Sequence, residues 1–372
     1  MLNKPPKIVI LTFILLFIIL FFYGIIVARG FLSTIVLGMI FSFLIFPLVN
    51  FLEKKAHFNR ILANLTSILL LLGFLTLLFF ILYKNMGKIT QDMPALVEKA
   101  HHNIDQLEAI IASALGYSIE SQNLMIHDAI NNIFNLSGTF TKSVFKGTTS
   151  TIFTLGLMPV FIFYMLYYRD KFYRFILMTV PAEKEEDARK VIRKITFITP
   201  KYVGGVFTVV LILSVLNSFG LWVVGVKYAI LFGIISALFN LIPYFGTWIG
   251  ASIPFMFALL TGDSPRLALG VIMLFVIIQF LENNILTPNI TGSYVNLNPF
   301  FTILLIIIGG IVWGIIGMFV VVPVAAMFKI IFDHSKSMKP VAYLMGADTE
   351  NRKKAIWRQK LIIKSKRTIR KL

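Results

Sequence analysis

The sequence contains no cysteine. Disulfide frameworks, thiolate metal sites and cysteine nucleophiles are therefore excluded. Charge is scarce as well. Only 14% of the 372 residues are Asp, Glu, Lys or Arg, against about 25% in soluble domains. Acids are the rarer sign, 17 against 35 basic residues, for a formal net charge of +18. Neither a G-x4-G-K-[ST] phosphate loop nor an H-E-x-x-H zinc motif occurs, and there is no G-x-S-x-G nucleophile elbow. His101 and His102 are adjacent, so on a helix they point about 100° apart, a poor metal pair where i, i+4 spacing is wanted. An intramembrane enzyme would need a nucleophile with its base, or two aspartates at depth. Neither arrangement is present, so the expectation is no enzyme, no cofactor and no metal.

What is abundant is apolar. Hydrophobic residues make up 58% of the chain, with 36 phenylalanines. Runs of about 18 or more apolar residues can cross a hydrocarbon core about 30 Å thick. They occur at 8–28, 31–52, 61–83, 148–168, 202–226, 228–260, 267–287 and 299–332. The first begins after Lys4 and Lys7 with no small-residue cleavage site behind it, which reads as an anchor and not a removed signal peptide.

The expected fold is all-α: a polytopic membrane protein of about eight transmembrane helices, with one or two broken or re-entrant segments and an extracytoplasmic helical insert. Residues 1–83 hold three spans and 84–147 the insert. The fourth span is 148–168, an amphipathic cytoplasmic segment 169–201, the C-terminal membrane core 202–332 and a basic tail 333–372. The insert has nearly balanced charge, with Leu96, Ile104, Leu107, Ile111 and Leu115 at helical spacing. Basic residues mark the cytoplasmic loops: "EKKAHFNR" at 53–60, the stretch from Arg169 to Lys201, and the tail from Arg352 to Lys371, which has no acid. This predicts cytoplasmic N- and C-termini in a bacterial inner membrane. It also accounts for the positive charge without nucleic acid. Anionic lipid is a partner the tail would suit.

Two runs are too long for straight helices. Residues 228–260 contain Pro243, Gly246, Gly250 and Pro254, and residues 299–332 contain Gly310, Gly314, Gly317 and Pro323. Each reads as a kinked span or a re-entrant hairpin, because broken backbone at depth survives only where protein or a wet cavity satisfies it. Loop charge favours one net crossing for each. The glycines Gly246 and Gly250, like Gly310 and Gly314, equally fit close helix packing.

A glutamate interrupts the seventh run. Gln279, Glu282, Asn283 and Leu286 share one helical face, and Pro288 predicts that the helix ends near Thr287. With eight crossings, this cluster falls towards the outer side. Intramembrane carboxylates usually face a bundle interior or a hydrated path. Glu282 is therefore a candidate for binding a proton, a cation or a polar solute, with Gln279, Asn283 and Asn240 beside it. The alternative is a carboxylate near the interface with a structural role.

Taken together, "YVGGVF" (202–207), "IPYFG" (242–246), the glutamate-bearing helix followed by "TPNITG" (287–292), and "LNPFFTILLIIIGGIVWGIIGMFVVVPVAA" (297–326) resemble the autoinducer-2 exporter-like (AI-2E) family of bacterial permeases. The resemblance is most specific over 196–330. It implies a multi-spanning transporter that forms homo-oligomers, with Pro243, Gly246, Glu282, Pro288, Gly292 and Pro299 as signature positions. Members have been linked to export of the furanone autoinducer-2, and others to sodium or lithium/proton antiport. Three readings follow: export of a small polar solute, antiport of a monovalent cation, or a non-transporting membrane scaffold.

Overall fold

The computed structural model describes residues 6–115, 149–291 and 297–347. They form helices α1 (Lys7–Val27), α2 (Arg29–Lys54), α3 (Arg60–Leu115), α4 (Thr149–Tyr167), α5 (Arg169–Met178), α6 (Glu185–Val224), α7 (Ala229–Phe239), α8 (Phe245–Thr261) and α9 (Pro265–Leu281). A π turn (Glu282–Leu286), α10 (Thr287–Ile290), α11 (Pro299–His334) and α12 (Lys339–Met345) follow. The chain divides into two units, residues 1–169 with 203–292, and residues 170–202 with 293–372.

In the first unit, α1 is apolar on every side and buries no residue, the signature of a helix solvated by lipid. The next helix, α2, buries a stripe of small and branched residues, Thr34, Gly38, Ser42, Ile45 and Val49. Gly38 admits the neighbouring helix closely, since a Cβ there would lie 3.1 Å from that of Phe161. Val49, Ala63, Ile68, Met158 and Ile162 form the core of this α2–α3–α4 bundle. At one end of it, Glu53 Oε2 pairs with Arg169 at 2.5 Å and Arg60 donates to the Tyr167 carbonyl at 3.1 Å.

The α3 helix does not stop where its apolar run does. It continues through residue 84 to Leu115, and its extension lies across the base of the next bundle. Leu96 and Ala100 are buried, and Ala100 packs with Ile104 on Leu260. Leu96 and Ile104 are positions on the helical stripe seen in the sequence.

The 228–260 run is a helical hairpin. Along α7 and α8 the pairing is antiparallel. A Cβ at Gly250 would lie 2.6 Å from the Ser236 carbonyl oxygen, Ser236 Oγ donates to the Gly250 carbonyl at 2.5 Å, and Phe232 meets Phe257 at 4.7 Å between ring centroids. Eleven residues in α7 give about 16 Å, roughly half a bilayer. Both feet are fastened to the α3 extension. Tyr228 donates to Asp92 and Lys227 pairs with Asp92 at 2.7 Å. At the other foot, Asn103 Nδ2 donates to the carbonyls of Leu260 (2.9 Å) and Gly262 (2.8 Å), and Lys99 pairs with Asp263 at 2.5 Å. The chain enters and leaves at the same end, so of the two readings of this segment the structure shows the hairpin and not the kinked span.

The hairpin reverses α9. It starts at the feet, with Ser264 as N-cap and Pro265 in the first turn, and runs antiparallel to α6. Gly270 faces Val224, Gly220 faces Leu274, and Gly205 faces Ile290 and Thr291. Between these levels Leu213, Ala237 and Ile278 meet in an apolar plug. Each is less than a tenth exposed.

In the second unit, the first turn of α6 carries Glu185, Glu186 and Asp187, as the helix dipole favours, with Glu185–Arg189 at 2.5 Å and Glu186–Lys190 at 2.9 Å. Asn298 Oδ1 caps α11 by accepting from the amides of Phe300 (2.8 Å) and Phe301 (3.4 Å). Within α11, Gly314 leaves helical geometry at φ 63°, ψ −144°. An unbroken helix would hold residues 309 and 317 about 12 Å apart, yet a Cβ on Gly309 would lie 2.6 Å from the Gly317 carbonyl oxygen. The chain therefore folds back at Gly314. The sequence offered Gly310 and Gly314 as a packing pair. In the structure Gly314 makes the bend, and Gly309 and Gly317 make the contact.

Candidate functional site

The hairpin tip and the π turn meet in the first unit. Asn240 follows the last residue of α7. Its Nδ2 donates to Glu282 Oε1 at 2.8 Å, while its Oδ1 accepts from Thr247 Oγ1 at 3.0 Å. The threonine, in the first turn of α8, thus fixes which way the amide faces. Its hydroxyl proton occupies the oxygen, leaving the NH2 for the carboxylate.

The tip is built tightly enough to hold this geometry. Gly246 sits against the Phe239 carbonyl and the Asn240 Cα, where any side chain would separate the arms. Tyr244 has φ 67° and ψ −49°, and the Phe245 amide donates to the Pro243 carbonyl at 2.8 Å. This is a γ-turn of the rare, strained kind. Strain of this type persists where the surroundings enforce it; here the packed glycines and Pro243 do so.

Glu282 opens the π turn, in which the Thr287 amide bonds to the Glu282 carbonyl. The expected stop before Pro288 is corrected. The wider turn shifts the bonding by one residue, so Pro288 falls in the first turn of α10, where a missing N–H costs little. Single π turns in α-helices recur at functional sites.

The position of Glu282 along the bundle follows from the direction of α9. Seventeen residues separate it from Pro265 at the feet and eight from Ile290 at the far end, about 26 Å and 12 Å of helix. It therefore lies about two thirds of the way from the feet to the far end, away from the α3 side. Among the described residues no basic side chain pairs with it, and its polar partners are the neutral amides of Asn240 and Gln279. Gln279 also donates to Asn283 Oδ1 at 3.0 Å, on the exposed side. Among the described residues no three or more acids and histidines cluster to hold a metal ion.

The structure thus brings together Asn240, Glu282, Gln279 and Asn283. Pro243 and Gly246 shape the tip, Gly250 packs the arms, and Pro288 follows the π turn. Pro299 starts α11 in the second unit, and Gly292 lies outside the described residues. Thr247 was missed. It stands seven residues from Asn240 across a loop, a spacing without helical meaning until the hairpin is known.

A carboxylate held by a hairpin tip within a bundle of apolar helices is in keeping with a membrane transporter, and comparison with known proteins agrees at that level. Residues 15–337 match the model of the AI-2E family transporters. YueF of Bacillus subtilis is 30% identical over 319 residues, covering 81% of this chain and 84% of YueF. YrrI of the same organism is 25% identical over 357 residues, covering 91% of this chain and 99% of YrrI. A Thermotoga maritima relative is 24% identical over 320 residues, 83% of this chain and 89% of its own. All three bear the name of a presumed transport protein, with no cargo in the name. With most of its length matched and its apolar helices arranged for a membrane, this chain is a multi-pass membrane transporter of the AI-2E family.

Proposed function

We propose that the protein is a secondary transporter that exports a small polar solute from the bacterial cytoplasm, with Glu282 as the coupling group and the Asn240-bearing hairpin tip as the gate. The observation that carries this is the Asn240–Glu282 hydrogen bond, which joins a re-entrant tip to a carboxylate with no basic partner. An unpaired carboxylate in a low-dielectric site is costly unless it is protonated or meets a cation. Protonation removes the charge that strengthens the amide bond, so loading a proton on Glu282 loosens the tip. Asn240, Gln279 and Asn283 offer both donors and acceptors to a hydroxyl-bearing solute.

The orientation that supports export places the α2–α3 loop inside, because its Lys54, Lys55 and Arg60 follow the positive-inside rule. The α3 extension and the hairpin feet then face outside. Treating both broken segments as fold-backs removes two crossings together, so both termini stay cytoplasmic.

A second reading is monovalent cation/proton antiport. Amide oxygens beside an unpaired carboxylate favour it, since hard cations prefer oxygen ligands. Proteoliposome flux with a lumenal pH dye separates the two when sodium, lithium and potassium are added in turn to wild type and Glu282→Gln. Cation-dependent proton movement that disappears in the variant supports antiport. Proton movement driven by a polyhydroxylated furanone and absent in the variant supports solute export. No Glu282-dependent proton movement with any of these refutes coupling through Glu282.

A further inference from the structure

Asn217 lies on α6 and is 3% exposed, yet its Oδ1 is buried with no hydrogen-bond partner. Leaving such an acceptor unpaired costs about 1–3 kcal/mol, and buried amides in native proteins nearly always have a protein or water partner. The surroundings locate it. Ser218 packs on Gly233 of α7, and Gly220 packs on Leu274 of α9. Leu213, one turn below Asn217 on the same stripe of α6, packs in one cluster with Ala237 of α7 and Ile278 of α9. Asn217 therefore faces the seam between the hairpin and α9. Four residues of α6 set it about 6 Å from the plug towards the feet, and four residues of α9 set Glu282 about 6 Å from the plug the other way. A polar side chain thus stands on each side of one apolar cluster, and one of them lacks a partner.

We propose that Asn217 is a second station of the transport path, an acceptor on the feet side of the Leu213–Ala237–Ile278 plug that takes an O–H donor: water at rest and a hydroxyl of the solute in transit. This rests on the reading of Glu282 as the station on the other side. Asn64 and Ser67 in the α2–α3–α4 bundle also have buried side-chain atoms without partners; what sets Asn217 apart is its place in the seam between the hairpin and α9, one turn from Leu213. A dry seam would favour leucine, which fills similar volume without an acceptor.

The cysteine-free chain allows a direct test. Asn217→Cys, Glu282→Cys and Val215→Cys are made singly, Val215 being 68% exposed on the outer face of α6. Each is treated in native membranes with 2-aminoethyl methanethiosulfonate, a small water-soluble reagent. Modification at 217 should exceed that at 215 by about tenfold. Modification at 282 but not at 217 overturns the second station and leaves the Glu282 site standing. Modification at 217 but not at 282 removes the Glu282 reading and, with it, the second station that rests on it, and modification at neither refutes both. Asn217→Leu gives an independent measurement. The station predicts a flux lowered about tenfold, equivalent to one lost hydrogen bond, with a melting temperature in detergent that is unchanged or raised. Unchanged flux in Asn217→Leu overturns the proposal.

Discussion

The re-entrant hairpin stands or falls on the contact between its arms, and Gly250→Ala tests it. A Cβ on Gly250 would sit 2.6 Å from the Ser236 carbonyl oxygen, 3.0 Å from its Cα and 3.2 Å from its carbonyl carbon. All three are backbone atoms, so no rotamer change relieves the clash. The arms must part, at an overpacking cost of about 1–3 kcal/mol. The Ser236 Oγ bond to the Gly250 carbonyl weakens with them, a further loss of about 1 kcal/mol. Against this stands the helix-propensity gain of Gly→Ala, about 1 kcal/mol. The net expectation is destabilisation by about 1–3 kcal/mol. Gly204→Ala is the matched control. It changes the same atoms inside α6, but its Cβ meets nothing within 4 Å, so the propensity gain should appear alone. Reversible unfolding in mixed micelles should therefore shift in opposite directions for the two variants. If Gly250→Ala unfolds at the same denaturant fraction as Gly204→Ala, residues 229–261 do not form this hairpin, and the placement of Asn240 beside Glu282 fails with it.

Gly314→Ala tests the fold-back in α11. Space is not at issue, because a Cβ there meets nothing within 4 Å. At φ 63°, ψ −144°, the cost is backbone strain of about 1–3 kcal/mol, and the same micelle assay should show it; a stabilising effect would mean that α11 runs straight. At the hairpin's second foot, Lys99 beside Asp263 holds that carboxyl below the usual carboxylate range. A depressed folded-state pKa contributes stability that is present above the ordinary carboxylate pKa and is lost as pH falls through the folded value. Hydrogen-exchange protection of residues 258–263, corrected for intrinsic rate, should hold as pH falls to the ordinary carboxylate range and weaken slightly below it, the pair being exposed. Asp263→Asn should remove the step, and a step that persists in this variant would assign it to another group.

Membrane class, helix content and most span positions were legible in the sequence, because apolar runs are set by bilayer thickness, a constraint that acts on composition directly. The break in 228–260 was legible as well, through Pro243 and Gly246. Whether the chain turned back there was not. An 11-residue arm and half of a kinked span have the same apolar composition, and what separates them is the grip of Asp92, Lys99 and Asn103 on the two feet, contacts between residues more than a hundred positions apart. The depth of Glu282 inherited that ambiguity, since each crossing miscounted moves it to the other side. Pro288 misled for a local reason: its usual effect assumes i→i+4 bonding, and the π turn changes the register. Thr247 and Asn217 carried no pattern at all, each being one polar residue in an apolar stretch whose partner, or lack of one, exists only in three dimensions.

The plug of Leu213, Ala237 and Ile278 has an electrical consequence. Membrane voltage falls where water is absent. On the proposed path, with water at Asn217 on one side and Glu282 on the other, nearly all of that fall would be compressed into the roughly 12 Å between them, in place of the roughly 30 Å of an intact hydrocarbon core. The local field is then about two and a half times that of the bare bilayer. A full elementary charge crossing it still exchanges about 2.3 kcal/mol per 100 mV, but within a space spanned by a few side chains. Small movements of the α7 tip would therefore be read directly in the current–voltage curve of the transporter.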